Sequence, residues 1–178
     1  MSDAHWNPLT PGADAYRSWL RAPGSLTQRI SLHCQRFSVL PLDLGNTPVT
    51  PDEAGLIGAA AGRYAYRRDV LLLADGRPVV FAHSVVAHQH LRGAWSALQR
   101  LGNRPLGPLL FANPHIQRGT LHYRKLACRH PLYRPIAAAG IAAPPILWAR
   151  RSLFVLHDAP LLVTEVFLPA ILELTRCG

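Results

Sequence analysis

The stretch Pro160-Leu161-Leu162-Val163-Thr164-Glu165-Val166-Phe167-Leu168-Pro169 sets one carboxylate inside an otherwise apolar run. Read at period two, Glu165 shares a strand face with Leu161, Val163 and Phe167, and the opposite face carries Leu162, Val166 and Leu168. Both faces therefore read as buried. A bare carboxylate in such a place costs several kcal/mol, so Glu165 has to be ion-paired, protonated or bonded to a ligand. For an isolated residue of this kind, a structural ion pair with an arginine is the ordinary reading. Here further motifs point toward a small anionic ligand.

Working outward, Leu147 to Leu156 is a second apolar strand, joined to Leu161 to Leu168 by a hairpin around His157-Asp158-Ala159-Pro160. Tyr64 to Leu73 and Pro78 to Val86 form another hairpin about Asp75-Gly76, a pair suited to a type I′ turn. Arg36 to Leu42 reads as a strand ended by a loop containing Gly45, Asn46 and Pro48, and Ile116 to Ala127 as a further strand. Leu91, Ala94, Trp95, Leu98 and Leu101 recur at helical spacing, which predicts one amphipathic helix stopped at Gly102. Short helices are expected over Ala13 to Leu20 and from a Ser25 or Thr27 cap toward His33, and Arg129 to Pro145 as an excursion between strands. Strands joined by short hairpins, with helices mostly between the hairpin groups, predict an α+β fold: a single antiparallel β-sheet with helices covering one face.

The chain of 178 residues, 49% apolar, suffices for one domain with a sizeable core, and 1–178 reads as a single domain without repeats. Its longer apolar runs are interrupted by Pro144-Pro145, His157-Asp158 or Glu165, so no transmembrane helix and no membrane insertion are expected. Met1 to Trp6 lacks a basic region followed by an apolar segment, which argues against secretion and for the cytoplasm. Cys34, Cys128 and Cys177 are odd in number and widely spaced, fitting reduced thiols better than a disulfide framework or zinc site. The formal charge of +9 comes almost wholly from scattered arginines. Without interleaved aromatics these read as a solvated surface that steers an anionic metabolite, so no nucleic-acid partner is expected.

Arg68, among Tyr66, Val70 and Leu72 on one strand face, needs a carboxylate from the protein or from a ligand, and its planar fork suits bidentate recognition. Pairing with Glu165 or Asp69 is the competing reading. Gly24-Ser25-Leu26-Thr27 and Leu101-Gly102-Asn103-Arg104-Pro105-Leu106-Gly107 are glycine-marked turns where backbone can approach an anion closely. His88 and His90 lack a third ligand at a recognisable spacing, so no metal is expected. His83 and His122 read as hydrogen-bonded strand residues. Nucleophile-elbow, phosphate-loop and dinucleotide motifs are missing.

Taken in order, five segments carry a resemblance: Gly24-Ser25-Leu26-Thr27 with Arg29; Arg68-Asp69-Val70-Leu71-Leu72 with Asp75-Gly76; Leu101 to Gly107 with Leu110-Phe111; Leu147-Trp148-Ala149-Arg150-Arg151-Ser152; and Leu161 to Pro169. From about Trp19 to Ile171 the chain resembles the chorismate pyruvate-lyase family of ubiquinone biosynthesis. The resemblance implies conversion of chorismate to 4-hydroxybenzoate and pyruvate with no cofactor and no metal, in a site closed under two helical flaps. It also implies that Arg68 receives a ligand carboxylate, that Glu165 is the site glutamate, and that Leu26 and Leu106 make backbone contacts. His83 stands where many members carry arginine, Ala87 where proline is common, and the 129–145 excursion is longer than in compact members.

The alternative is a non-catalytic sensor of aromatic carboxylates, because the family's fold is similar to the effector-binding domain of a large class of bacterial regulators. Such regulators add a winged helix-turn-helix, for which the leader before Trp19 is too short. A monomeric lyase is therefore the expectation.

Overall fold

The computed structural model describes residues 6–8 and 15–174; Cys177 and the first residues of the expected Ala13 to Leu20 helix lie outside them. One seven-stranded antiparallel sheet organises the chain. Its strands are β1 (Phe37–Pro48), β2 (Tyr64–Ala74), β3 (Arg77–Ala87), β4 (Gln117–Arg118), β5 (His122–Ala127), β6 (Ile146–Leu156) and β7 (Ala159–Phe167). The order is β1-β2-β3-β7-β6-β4, with β5 pairing the other end of β6. Strand β7, which carries Glu165, is thus central, and this is why its sequence is apolar on both faces.

Two tight turns set the hairpins. Asp75 and Gly76 both take positive φ, 49° and 79°, as a type I′ turn demands. Asp75 also accepts from the Arg36 N–H at 2.7 Å, pinning the turn to the start of β1. In the second hairpin His157 and Asp158 adopt φ of 49° and 60°, and Ala159-Pro160 already belong to β7, so the turn is two residues long.

Three expected elements differ. The loop expected at Gly45, Asn46 and Pro48 is strand: Gly45 faces Arg67, Asn46 faces Tyr66 and Pro48 faces Tyr64. β1 is an edge strand with a bulge between Pro41 and Asp43, and an edge tolerates glycine and proline because one side needs no ladder bond. The helix expected from Leu91 to Leu101 is instead a chain of turns with short 3₁₀ segments at His88–His90 and Ser96–Arg100. Trp95, Leu98 and Leu101 still share one buried face, since 3₁₀ geometry aligns i and i+3, and the Trp95 indole donates to the Ala159 carbonyl at 2.9 Å. The strand expected over Ile116 to Ala127 is broken into β4 and β5. Residues 119–121 lie opposite only 152–153, a one-residue bulge entered at Gly119, whose N–H donates to the Leu153 carbonyl.

Helices α1 (Arg17–Leu20), α2 (Leu26–Ser31) and α4 (Gly107–Ala112), with the 3₁₀ turns, lie over one sheet face as expected. There Trp19, Leu20, Leu26 and Ile30 pack on Val70, Leu72 and Phe167. The opposite face is not bare. Ala54 of α3 (Pro51–Ala54) with Ile57, and Ile136 of α5 (Arg134–Ala138), pack on it, α5 lying within the 129–145 excursion.

Candidate active site

Strand alternation and register bring the expected residues together on the helix-covered face. Arg68 of β2 pairs with Ser84 of β3, Ala82 of β3 with Glu165 of β7, and Glu165 with Arg150 of β6. Of these, Arg68, Ser84, Ala82 and Glu165 border a cavity roofed by two short covers, Gly24 to Thr27 leading into α2 and Leu106 to Phe111 leading into and along α4. Ser25 caps α2 by accepting from the Gln28 N–H at 3.2 Å. The covers meet at Gly107, where an added Cβ would stand 2.6 Å from Ser25 Oγ, so only glycine lets them close this tightly. Leu26 opens α2 and Leu106 is the N-cap of α4; both line the cavity, where the first turn of a helix leaves its N–H groups without intrahelical acceptors.

Arg68 is buried, 2% exposed, and is paired with neither Glu165 nor Asp69. Its Nη2 donates to the carbonyls of Gly102 and Arg104 at 3.0 and 2.7 Å, and its Nε has no hydrogen-bond partner among the described residues. Burial pulls its pKa below the ordinary arginine value, an effect only partly opposed by Tyr66. A desolvated guanidinium that lines a cavity and has no carboxylate partner among the described residues has the chemistry to receive an anion.

Glu165 is ion-paired, and the partner is Arg150: Arg150 Nε donates to Glu165 Oε2 at 2.5 Å. Arg150 is fully buried, and its Nη1 donates to the carbonyls of Trp19, Leu20 and Ala22 at 3.0–3.2 Å, tying α1 to the sheet. Glu165 keeps 16% of its side chain exposed, and its Oε1 makes no hydrogen bond to the described residues. The expected burial on both faces is therefore incomplete at this residue. One carboxylate oxygen serves the ion pair, and the other is available to the cavity.

Two neighbours are given no role by the sequence alone: Arg150, which pairs with Glu165, and Arg118, which lines the cavity. Arg150 was legible: a two-residue turn at His157-Asp158 fixes Arg150 opposite Glu165 by simple counting. Arg118 was not, because the bulge at 119–121 reverses the face expected from alternation.

The closed cavity is small, with about 40 Å³ of room for water-sized molecules. At roughly 10–15 Å³ per water only a few fit. A ring-sized ligand therefore enters only when the covers shift.

His83 faces the other side of the sheet. Its Nδ1 meets Asp69 Oδ1 at 2.6 Å and its Nε2 meets Glu53 Oε1 at 2.9 Å, all three residues being buried. Burial pulls the imidazole down, yet hydrogen bonds and charge from Asp69 and Glu53 raise it to about 10, so it is a cation at neutral pH. Because the folded pKa lies above the unfolded value of about 6.5, this contribution is complete below pH ~6.5 and is lost as pH rises through about 10. Replacing His83 by glutamine strands two buried carboxylates and is expected to cost about 3–5 kcal/mol at pH 6. Melting temperatures of both proteins from pH 6 to 10.5 should converge as pH rises; a constant gap would contradict a charged His83. Among the described residues no group of three or more His, Cys, Asp or Glu side chains is arranged to hold a metal ion.

The fold is similar to that of solved domains of bacterial PhnF. The chain superposes on the structure titled PhnF C-terminal domain with a TM-score of 0.59 at 14% identity, covering 84% of this chain and 92% of that one. For the effector domain of PhnF from Mycobacterium smegmatis the TM-score is 0.55 at 14% identity, over 83% and 90%. At such identities the likeness concerns fold alone. Sequence narrows it further: the chorismate lyase family model matches residues 2–176, and the chain belongs to that family. Proteins named "Probable chorismate pyruvate-lyase" are similar throughout. That of Nitrosospira multiformis is 47% identical over 98% of this chain and 97% of its own length, and that of Thiobacillus denitrificans 49% identical over 88% and 83%.

Proposed function

We propose that this chain is a chorismate pyruvate-lyase, releasing 4-hydroxybenzoate and pyruvate from chorismate as the step that commits chorismate to ubiquinone. The observation that carries the reading is the cavity itself: a buried Arg68 without a carboxylate and a half-bonded Glu165 line it from strands on either side of β3, under two short covers, in a chain of the chorismate lyase family. Arg68 receives the ring carboxylate, and the backbone at Leu26 and Leu106 supplies further N–H donors from the covers. Glu165 Oε1 accepts from the C4 hydroxyl or takes the C4 proton.

The electron pair of the C4–H bond becomes the new ring double bond, and the pair of the C3–O bond leaves with the enolpyruvyl oxygen. That oxygen takes up a proton, and the enol rearranges to pyruvate. Aromatisation makes the change strongly downhill, so the protein has to supply positioning and exclusion of water rather than a strong catalyst. No step requires a cofactor or metal. No helix among the described residues is long and apolar enough to cross a membrane.

The test is direct. Purified protein mixed with chorismate should form 4-hydroxybenzoate, followed by its absorbance, at a rate proportional to protein. Chorismate that binds without turning over would instead establish a sensor of aromatic carboxylates.

A further inference from the structure

Arg118 is the feature that this reaction scheme leaves unused. It reaches the cavity from the two-residue strand β4, where Arg118 pairs with Phe154 and so points to the covered face. The bulge at 119–121 is what permits Arg118 and Tyr123, five residues apart, to share that face, Tyr123 lying opposite Arg150. The guanidinium stacks over Phe111 and Phe154, 5.5 and 5.4 Å from their centroids. Its Nε donates to Ser152 Oγ at 3.0 Å and its Nη1 to the Gly24 carbonyl at 3.2 Å. It therefore touches both covers, Gly24 of the first and Phe111 of the second, yet makes no ion pair among the described residues. Burial, then the neighbouring Arg150, weakens its hold on its proton, while Glu165 opposes this.

Charge sharpens the point. Arg68 and Arg118 line the cavity, and its single lining carboxylate, Glu165, is already ion-paired with the buried Arg150, so the three guanidiniums and one carboxylate leave two positive charges in excess. Arg68 answers one ligand carboxylate. A second, half-buried cation in the same enclosure is unfavourable unless a second anionic group meets it.

We propose that Arg118 is the receptor for the second carboxylate of a dicarboxylate substrate, the one on the enolpyruvyl arm, and so distinguishes substrate from product. This assignment rests on the lyase reading. In that reaction the dianion is split into two monoanions, and 4-hydroxybenzoate keeps only the carboxylate that Arg68 holds. With the arm gone, Arg118 loses its ionic partner in the bound ligand, and its grip on both covers no longer adds to product binding.

The experiment compares substrate and product on the same variants. For Arg118→Ala the KM for chorismate should rise about tenfold or more, the loss of one charge-assisted contact. The inhibition constant of 4-hydroxybenzoate should move by less than about threefold, because the product never uses that contact. Arg118→Lys, which keeps the charge and tests the residue should the alanine variant not fold, should recover part of the KM and also leave product inhibition in place. Equal weakening toward substrate and product in these variants, or no change toward either, would make Arg118 a latch between the covers and overturn the assignment. Wild-type protein without turnover would instead overturn the lyase reading on which it stands, so the two failures are told apart.

Discussion

Glu165→Gln is expected to lower turnover by about 10²- to 10⁴-fold while the protein remains folded. The reasoning follows from how the carboxylate is shared. Arg150 Nε donates to Oε2 at 2.5 Å, and a glutamine would have to present its carbonyl oxygen to the same donor. Its NH₂ group would then face the cavity, offering a donor where the C4 hydroxyl needs an acceptor, and no base would remain. Stability should change by only about 1–2 kcal/mol, because the buried guanidinium keeps a neutral acceptor and its three backbone carbonyls from Trp19, Leu20 and Ala22. Thermal melting and activity per folded molecule, measured together, decide the matter. A loss nearer 3–5 kcal/mol with near-normal activity would show that the pair is structural and that Glu165 has no part in the chemistry.

Arg68→Ala is expected to weaken both chorismate and 4-hydroxybenzoate by about 1.5–3 kcal/mol, roughly ten- to two-hundred-fold. Both ligands carry the ring carboxylate, so both should suffer alike, in contrast to the selective effect expected at Arg118. The variant also frees the carbonyls of Gly102 and Arg104, which Arg68 now holds just before α4. The second cover should consequently become easier to open, adding to the loss of retained product. Calorimetric titration with 4-hydroxybenzoate reads the affinity without needing turnover. Unchanged affinity would mean that Arg68 only braces the 102–104 loop.

How much of this was legible in the sequence depends on where registers run true. The β6–β7 hairpin has a two-residue turn and no bulge, so Glu165 and its alternation could be read correctly, and Arg150 was there to be counted. The β2–β3 hairpin carries a register shift between Leu72 and Leu73, so counting from Asp75-Gly76 does not bring Asp69 opposite His83. The clamp of His83 between Asp69 and Glu53 stayed hidden for that reason, and because Glu53 arrives from α3, a four-residue helix with little periodicity to reveal it. Gly45, Asn46 and Pro48 have the composition of a loop. They were misread because composition carries no information about whether a strand lies at an edge. Leu91 to Leu101 misled in another way: burial at i and i+3 is common to α and 3₁₀ geometry, and only the backbone separates them. Arg68 and Glu165, isolated by apolar strands, and Leu26 and Leu106, which the family resemblance implied at glycine-marked turns, all line one cavity. The cavity's surplus positive charge became visible only once the bulge had turned Arg118 inward.

The account stands or falls on whether the cavity performs the elimination. The most direct measurement is a quenched time course of the wild-type protein with chorismate in excess chelator, quantifying both products in each sample. The expected result is 4-hydroxybenzoate and pyruvate rising in a 1:1 ratio as chorismate disappears, with the chelator having no effect. Chorismate recovered intact from a saturated, folded protein would contradict it.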